Sequence, residues 1–389
     1  MQALEVFWVF LKLGVTSFGG PVAHLGYFRR EFVEKRGWLN DSDYASLIGL
    51  CQFLPGPGSS QTGFGIGLLR AGWLGGLAAW VGFTLPSAVL MFAIAMEASG
   101  VEASAAGQRV LHGLQLATLA VVAQAVRTMA NSLCLDFSCR TLAVIGLLLV
   151  ILLPGTEGQI FALTIGGLVG RYLLDRPAKP LAAMAAPGFG LSHKVGIVCI
   201  GIFFLILVAT LTIPAAGNWG LFGAFYRTGA LVFGGGHVVL PLLNDAIVLP
   251  GWVSSKLFLA GYGAAQAMPG PLFTFAAYLG ALAMTKSPSV AGAGISLVAI
   301  FLPGLLLVAG ILPFWHGLRN KLNVVMTMRG LNSIVVGIMG YALLNLVLLG
   351  SMHSFYDILI VVAASWALMI GNLPPILVVG FCAITAVLI

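Results

Sequence analysis

Charge is what this chain has least of. Only 8% of its 389 residues are Asp, Glu, Lys or Arg, whereas 59% are hydrophobic, and so few ionised groups cannot cover a soluble surface of this size. With a mean hydropathy of +1.03, the composition implies a protein built to sit in a lipid bilayer. Cysteine is scarce too. Cys51, Cys134, Cys139, Cys199 and Cys382 are scattered without a CxxC pair, a pattern of isolated structural thiols rather than of disulfides or a metal site. No Walker loop, GxSxG elbow or HExxH stretch occurs, so no enzyme chemistry and no cofactor are expected, and pumping would have to use an ion gradient or exchange. Lys and Arg outnumber Asp and Glu by 19 to 12, but they are dispersed along the chain, and nucleic acid is not an expected partner. The opening Met1-Gln2-Ala3-Leu4-Glu5 lacks both the basic stretch and the cleavage site of a removable signal peptide, so the first apolar segment is expected to stay.

What is abundant is apolar sequence. Runs suited to crossing a hydrocarbon core, at about 20 residues each, fall near 72–96, 110–130, 158–174, 195–213, 290–315, 331–350, 355–370 and 373–389, with a shorter one near 141–155. The alternation of a membrane barrel is absent, so the expected fold is an all-α polytopic membrane protein. Inside this apolar sequence stands LCQFLPGPG at 50–58, where prolines and glycines break any helix, and AQAMPGP at 265–271 repeats the break.

The repetition is general. Sliding the chain on itself by about 215 residues sets Lys12-Leu13-Gly14 on Arg227-Thr228-Gly229, Phe18-Gly19-Gly20 on Phe233-Gly234-Gly235, and Gly37-Trp38 on Gly251-Trp252. The same register matches Gln52 with Gln266, Pro55-Gly56-Pro57 with Pro269-Gly270-Pro271, Leu85-Pro86 with Leu302-Pro303, and Gly113-Leu114 with Gly330-Leu331. Three units are therefore expected: a first repeat at 1–174, a basic linker with a connecting helix at 175–213, and a second repeat at 214–389. Basic residues crowd 28–43 but are nearly absent from its counterpart 244–256, and the bias reverses between 97–110 and 316–330. Cytoplasmic loops carry the excess of Lys and Arg, so the halves read as an inverted repeat. On that reading 5–27, 220–243 and the two PGP segments are re-entrant hairpins, two from each face, whose tips meet near the membrane midplane. Ordinary kinked spans at 5–27 and 220–243 are the open alternative. The charges of 29–41 nearly cancel, which suits a short amphipathic anchor at the interface.

Broken helices at membrane depth survive where they are buried or line a wet cavity, and half-helix N-termini present free N–H groups to anions. The candidate oxyanion-binding residues are Phe18, Gly19, Gly20, Pro21, Pro55, Gly56 and Pro57, with Phe233, Gly234, Gly235, Pro269, Gly270 and Pro271 as their mates. Lys12 and Arg227 would offset an anion's charge, Gln52 and Gln266 would orient its oxygens, and His24 and His237 are candidates for proton coupling. Each has a plainer account: tight packing for Gly and Pro, snorkelling for the cations, helix contact for Gln, and core packing for His.

The order Phe18-Gly19-Gly20-Pro21, Arg36-Gly37-Trp38, Gln52, Pro55-Gly56-Pro57 and Gly63 resembles the chromate ion transporter family in its long two-domain form. The resemblance implies an inner-membrane protein that exports chromate, with sulfate as a similar dianion and the proton motive force as energy source, and so confers chromate resistance. The second copy departs from the pattern, with Gly236 in place of the proline and a shorter, less basic loop. Uptake or exchange of sulfate or another small anion is the alternative within transport, and a membrane scaffold the alternative outside it. Oligomeric state is not legible here, and a homodimer stays open.

Overall fold

The computed structural model describes residues 1–174, 192–212, 217–283, 288–318, 321–348, 352 and 354–388. Most of the expected linker, and Lys286 at the end of the second PGP hairpin, lie outside the described residues. Among the described residues there is no strand, and the protein is an all-α polytopic membrane protein.

The first half contains α1 (Gln2–Thr16), α2 (Gly20–Phe28) widening into a π-turn at Arg29–Lys35, α3 (Asp41–Phe53), α4 (Gly58–Ala103), α5 (Ala105–Leu133), α6 (Phe137–Leu152) and α7 (Thr156–Tyr172). Helix α8 (His193–Thr212) connects to α9 (Gly217–Leu231), α10 (Val239–Leu243), α11 (Ser255–Ala267), α12 (Phe275–Leu282), α13 (Val290–Ile311), α14 (Trp315–Leu318), α15 (Leu322–Leu348), α16 (Phe355–Met369) and α17 (Pro375–Leu388). Helix α4 reverses direction at Ala71 and Gly72, where Gly72 takes φ +63°. Glycine is suited to that turn because it bears no Cβ.

Among the described residues, five helical stretches are long and apolar enough to cross a membrane: Gly58–Ala98, Ala105–Leu133, His193–Thr212, Val290–Phe314 and Leu322–Leu348. Three runs expected to span, at 158–174, 355–370 and 373–389, form the shorter helices α7, α16 and α17. Their ends fall within two residues of the apolar runs, and local chemistry sets them. Ser354 closes a capping box ahead of α16, and Asn372 at φ +50° with Pro375 separates α16 from α17.

Two bodies emerge from the packing. The first is a hairpin core in which α1 lies along α4 and α9 along α13, with α8 beside α9 and α13. The contacts are backbone-close: a Cβ at Gly14 would stand 2.7 Å from the Phe83 carbonyl, and one at its mate Gly229 would stand 2.2 Å from the Ile300 carbonyl. The second is a six-helix body whose members are exchanged between the halves. There α15 packs on α6 and α7, while α16 and α17 pack on α5. Glycines again set the spacing, Gly113 against the Cys382 carbonyl and Gly330 against that of Gly166. At one end of this body Asp136 caps α6 by accepting the Cys139 N–H at 2.8 Å and also pairs with Arg329. The Cys139 N–H foremost, and the Arg329 guanidinium after it, hold the Asp136 carboxyl below the usual carboxylate range.

Candidate functional site

Both hairpins of the first half start and finish at one end of the molecule. Glu5 meets Arg36 at 3.2 Å and Arg70 at 3.8 Å, and the Arg70 guanidinium lies 5.0 Å over the Trp38 ring. Between those contacts the chain doubles back, with Phe10 packed on Phe28 and Phe32 at centroid distances of 5.5 and 4.8 Å. The hairpins of the second half close at the other end. Gly220 and Ala224 line one cavity with Pro250 and Trp252, and the Tyr278 hydroxyl donates to the Leu257 carbonyl at 3.1 Å. Helix α4 joins the two ends: beyond Gly72 it reaches Glu97, which shares a cavity with Ala260 and Ala264 of α11. At about 1.5 Å per residue that limb covers about 37 Å, close to the thickness of a bilayer.

The tips meet between these ends and are tied to each other across the halves. The Gly56 N–H donates to the Val232 carbonyl at 2.7 Å, and the Gly270 N–H donates to the Ser17 carbonyl at 2.9 Å. These bonds are mates under the repeat, each joining a PGP turn of one half to the residue before the FGG turn of the other. Gly56 at φ +123° and Gly270 at φ +87° hold conformations that strain any other L-residue. A Cβ there would also crowd Gln61 and Gly304 in the first case and Ser87 and Phe83 in the second.

These amides are committed to the fold, so Gly56 and Gly270 do not offer their N–H groups to an ion as the sequence led us to expect. The amides of Gly19, Gly20, Gly234 and Gly235 carry no bond within the described residues. Of these, Gly19 and Gly235 are exposed. Phe18 is exposed and Phe233 half-buried; Pro21 lies in the first turn of α2; Pro57 caps α4; Pro269 and Pro271 are buried. The Pro55 carbonyl accepts the side-chain amide of Gln61 at 2.8 Å.

The matched side chains diverge. Lys12 is exposed on α1, whereas Arg227 is half-buried and donates to the Thr210 carbonyl. Gln52 is exposed, whereas Gln266 lies 3.4 Å from His237, whose Nδ1 is 3.0 Å from the Tyr262 hydroxyl. His24 is buried beside the tip. Its Nε2–H donates to the Ser17 carbonyl at 3.2 Å, leaving Nδ1 to accept from Ser59 at 3.4 Å.

Sequence reasoning missed the polar lining of the first tip. Ser17, Ser59, Ser60, Gln61, Thr62, Thr84 and Ser87 are all buried. Ser17 Oγ, Ser60 Oγ, Gln61 Oε1 and Thr84 Oγ1 have no partner among the described residues. Leaving such atoms unpaired in an apolar interior costs roughly 1–3 kcal/mol each, so their accumulation points to a ligand or water. Trp80, Thr84 and Ser87 recur at helical spacing, and Trp80 packs on Phe301, which turns this face of α4 toward α13 and the tips. The available signal was Ser59-Ser60-Gln61-Thr62, four polar residues directly after PGPG. Their mates in the second half are Phe273, Thr274, Phe275 and Ala276, and those of Ser17, Thr84 and Ser87 are Val232, Phe301 and Gly304.

Comparison with known proteins follows the same duplication. The family model described as chromate transporter matches residues 4–171 and again 219–387. A chromate transport protein of Pseudomonas aeruginosa is 29% identical over 319 residues, covering 78% of this chain and 71% of that one. A probable chromate transport protein of Synechococcus elongatus is 28% identical over 388 residues, covering 97% and 93%. A chromate transport protein of Cupriavidus metallidurans is 29% identical over 296 residues, covering 76% and 70%. No solved structure matches.

Proposed function

The chain belongs to the chromate transporter family, and from that premise we propose that it is a secondary transporter moving chromate outward across the inner membrane, driven by the proton motive force and conferring chromate resistance. The observation that carries this reading is the pair of cross-half bonds at the tips. They gather non-helical backbone from both halves at one depth, an arrangement suited to replacing the hydration shell of a tetrahedral dianion. The free amides of Gly19 and Gly20 and the hydroxyls of Ser17, Ser60 and Thr84 would donate to its oxygens. Gln61 Oε1, an acceptor, would take a proton-bearing oxygen or a water. Lys12, on the open side of α1, would draw the anion toward this site, and Arg227 would meet it on the other side.

Translocation follows from a difference between the two seams. The six-helix body leans on the second half's hairpins: the Thr118 hydroxyl donates to the Leu259 carbonyl at 2.9 Å, and Gly263 admits the Leu114 carbonyl to within 2.7 Å of where its Cβ would be. The mate contact, α3 on α15, is not made to a comparable extent. Gly49, the mate of Gly263, has only Trp315 nearby, at 3.7 Å. With the basic end cytoplasmic, this is an inward-open state, and exchanging the two seams would produce the outward-open one.

Sulfate shares chromate's shape and charge, and it is the competing cargo. Purified protein in liposomes separates these readings. Chromate efflux accelerated by an imposed proton gradient is expected, with sulfate competing weakly; sulfate flux without chromate flux assigns the other anion, and binding without any flux removes the carrier reading.

A further inference from the structure

The cavity shared by Arg227 and Asp245 lies apart from the polar tip of the first half. It has a volume of about 180 Å³ and is lined by Gly220, Ala224, Thr228, Leu231, Leu242 and Trp252 besides that pair. Liquid water would fill such a volume with about six molecules. It begins at the end where the second half's hairpins close, marked by Gly220, and reaches Leu231, the neighbour of tip residue Val232. It is therefore a vestibule between that end and the tips.

Asp245 stands at the seam between the two bodies. Its Oδ2 accepts the Gln159 side-chain N–H at 2.7 Å from α7. Gln159 is fully buried, and its own Oε1 has no partner among the described residues. A second, smaller cavity on the other side of Asp245 is lined by Ser255, Tyr341 and Asn345. The charged and titratable groups facing Asp245 are Arg227 from α9 and Tyr341 from α15; α7 offers the neutral Gln159, and α11 offers Ser255. A half-buried carboxylate lining a cavity carries a desolvation cost, which favours its neutral form. It lines the same cavity as the Arg227 guanidinium, so an ionised carboxylate would set a negative charge in the space an anion would occupy.

We propose that this vestibule is a second subsite for a small tetrahedral oxyanion, held by Arg227, and that the protonation state of Asp245 controls its occupancy. Ionised Asp245 offsets Arg227 and repels a dianion; protonated Asp245 leaves the positive charge to the ligand. Occupancy therefore rises as pH falls. The inference rests on the carrier reading, since it assigns a stage on the path of the same ion.

The test measures binding of inorganic sulfate, which stays a dianion throughout this range, to the purified full-length protein at pH 8 and pH 5.5, beside chromate and sulfate flux in liposomes. The wild type is expected to bind at least tenfold more tightly at the lower pH. Asp245→Asn, which fixes the neutral form, should bind tightly at both, and Arg227→Gln should lose the pH-dependent component. Asp245→Asn retaining the wild-type pH dependence overturns the subsite while wild-type flux upholds the carrier. Asp245→Glu, expected to restore the dependence, overturns it equally if it binds as Asn does. Absence of wild-type flux for every anion overturns the carrier reading itself.

Discussion

The two halves of the molecule share a backbone and differ in what the backbone carries. Each has an α1-type helix held by a glycine, Gly14 or Gly229, against the proline-bearing helix of its own half, and each donates one tip amide to the other. Around the first tip, however, stand Ser17, His24, Ser59, Ser60, Gln61, Thr84 and Ser87, while the second tip sets the mutually bonded His237, Tyr262 and Gln266 among Val232, Val239, Phe273, Phe275 and Phe301. The first half's turns also lead directly into α-helices, α2 and α4, whereas the second half's turns open through short 3₁₀ segments at Gly236–Val238 and Leu272–Thr274. Duplicated architecture thus positions both tips, and among the described residues the unpartnered hydroxyls gather at the first. Symmetry supplies the meeting point and the two seams, and on the proposed reading side-chain divergence would decide which tip meets the ion.

That comparison can be broken at its shared element first. Replacing Gly56 or Gly270 with Val sets a branched residue at positive φ, costing about 1–2 kcal/mol, and overfills a packed site at a further 1–3 kcal/mol or so. Both variants should lose thermal stability to a similar degree and transport almost nothing, as read by melting in detergent and by flux. Loss in only one would show that the tips are not equivalent as supports. The next effect is one-sided. Thr84→Val and Ser60→Ala should each lower the transport rate by about tenfold or more, the scale of one hydrogen bond to a charged group. Melting temperature should hold or rise, because the hydroxyls removed have no partner in the fold. Thr274→Ala, the mate of Ser60, removes a hydroxyl already satisfied by the Pro271 carbonyl at 2.8 Å, and its rate should change less than about twofold. Equal losses on both sides would place the polar contact in both halves.

Much of this was legible in the sequence because Gly and Pro constrain the backbone directly. The repeat, the break at PGP and the turn at FGG could be read from residue types whose conformational demands are few and strong. Which atoms remain open at the tip could not. Gly56 and its mate looked like ion ligands, and only the tertiary arrangement reveals that each amide is taken by a carbonyl from the other half. Lys12 and Arg227 looked alike by register, yet one is exposed and the other turns to the Thr210 carbonyl, since register fixes position along a helix and not the neighbours it meets.

The smallest expected effect probes the seams. Gly263 is pressed against α5, so Gly263→Leu has to displace the Leu114 carbonyl and should lower stability by about 2 kcal/mol or more. Gly49 occupies the same repeat position on α3 but faces open space apart from Trp315, so Gly49→Leu should leave the melt within about 0.5 kcal/mol of wild type. If α3 must close on α15 to complete each cycle, that same variant obstructs a contact absent from this state, and transport should slow severalfold while anion binding at the first tip is kept. Stability lost equally by the two variants would mean that α3 is already seated, and the inward-open assignment would fall. A Gly49→Leu carrier with wild-type rate would instead mean that closure on this side is made by some element other than α3.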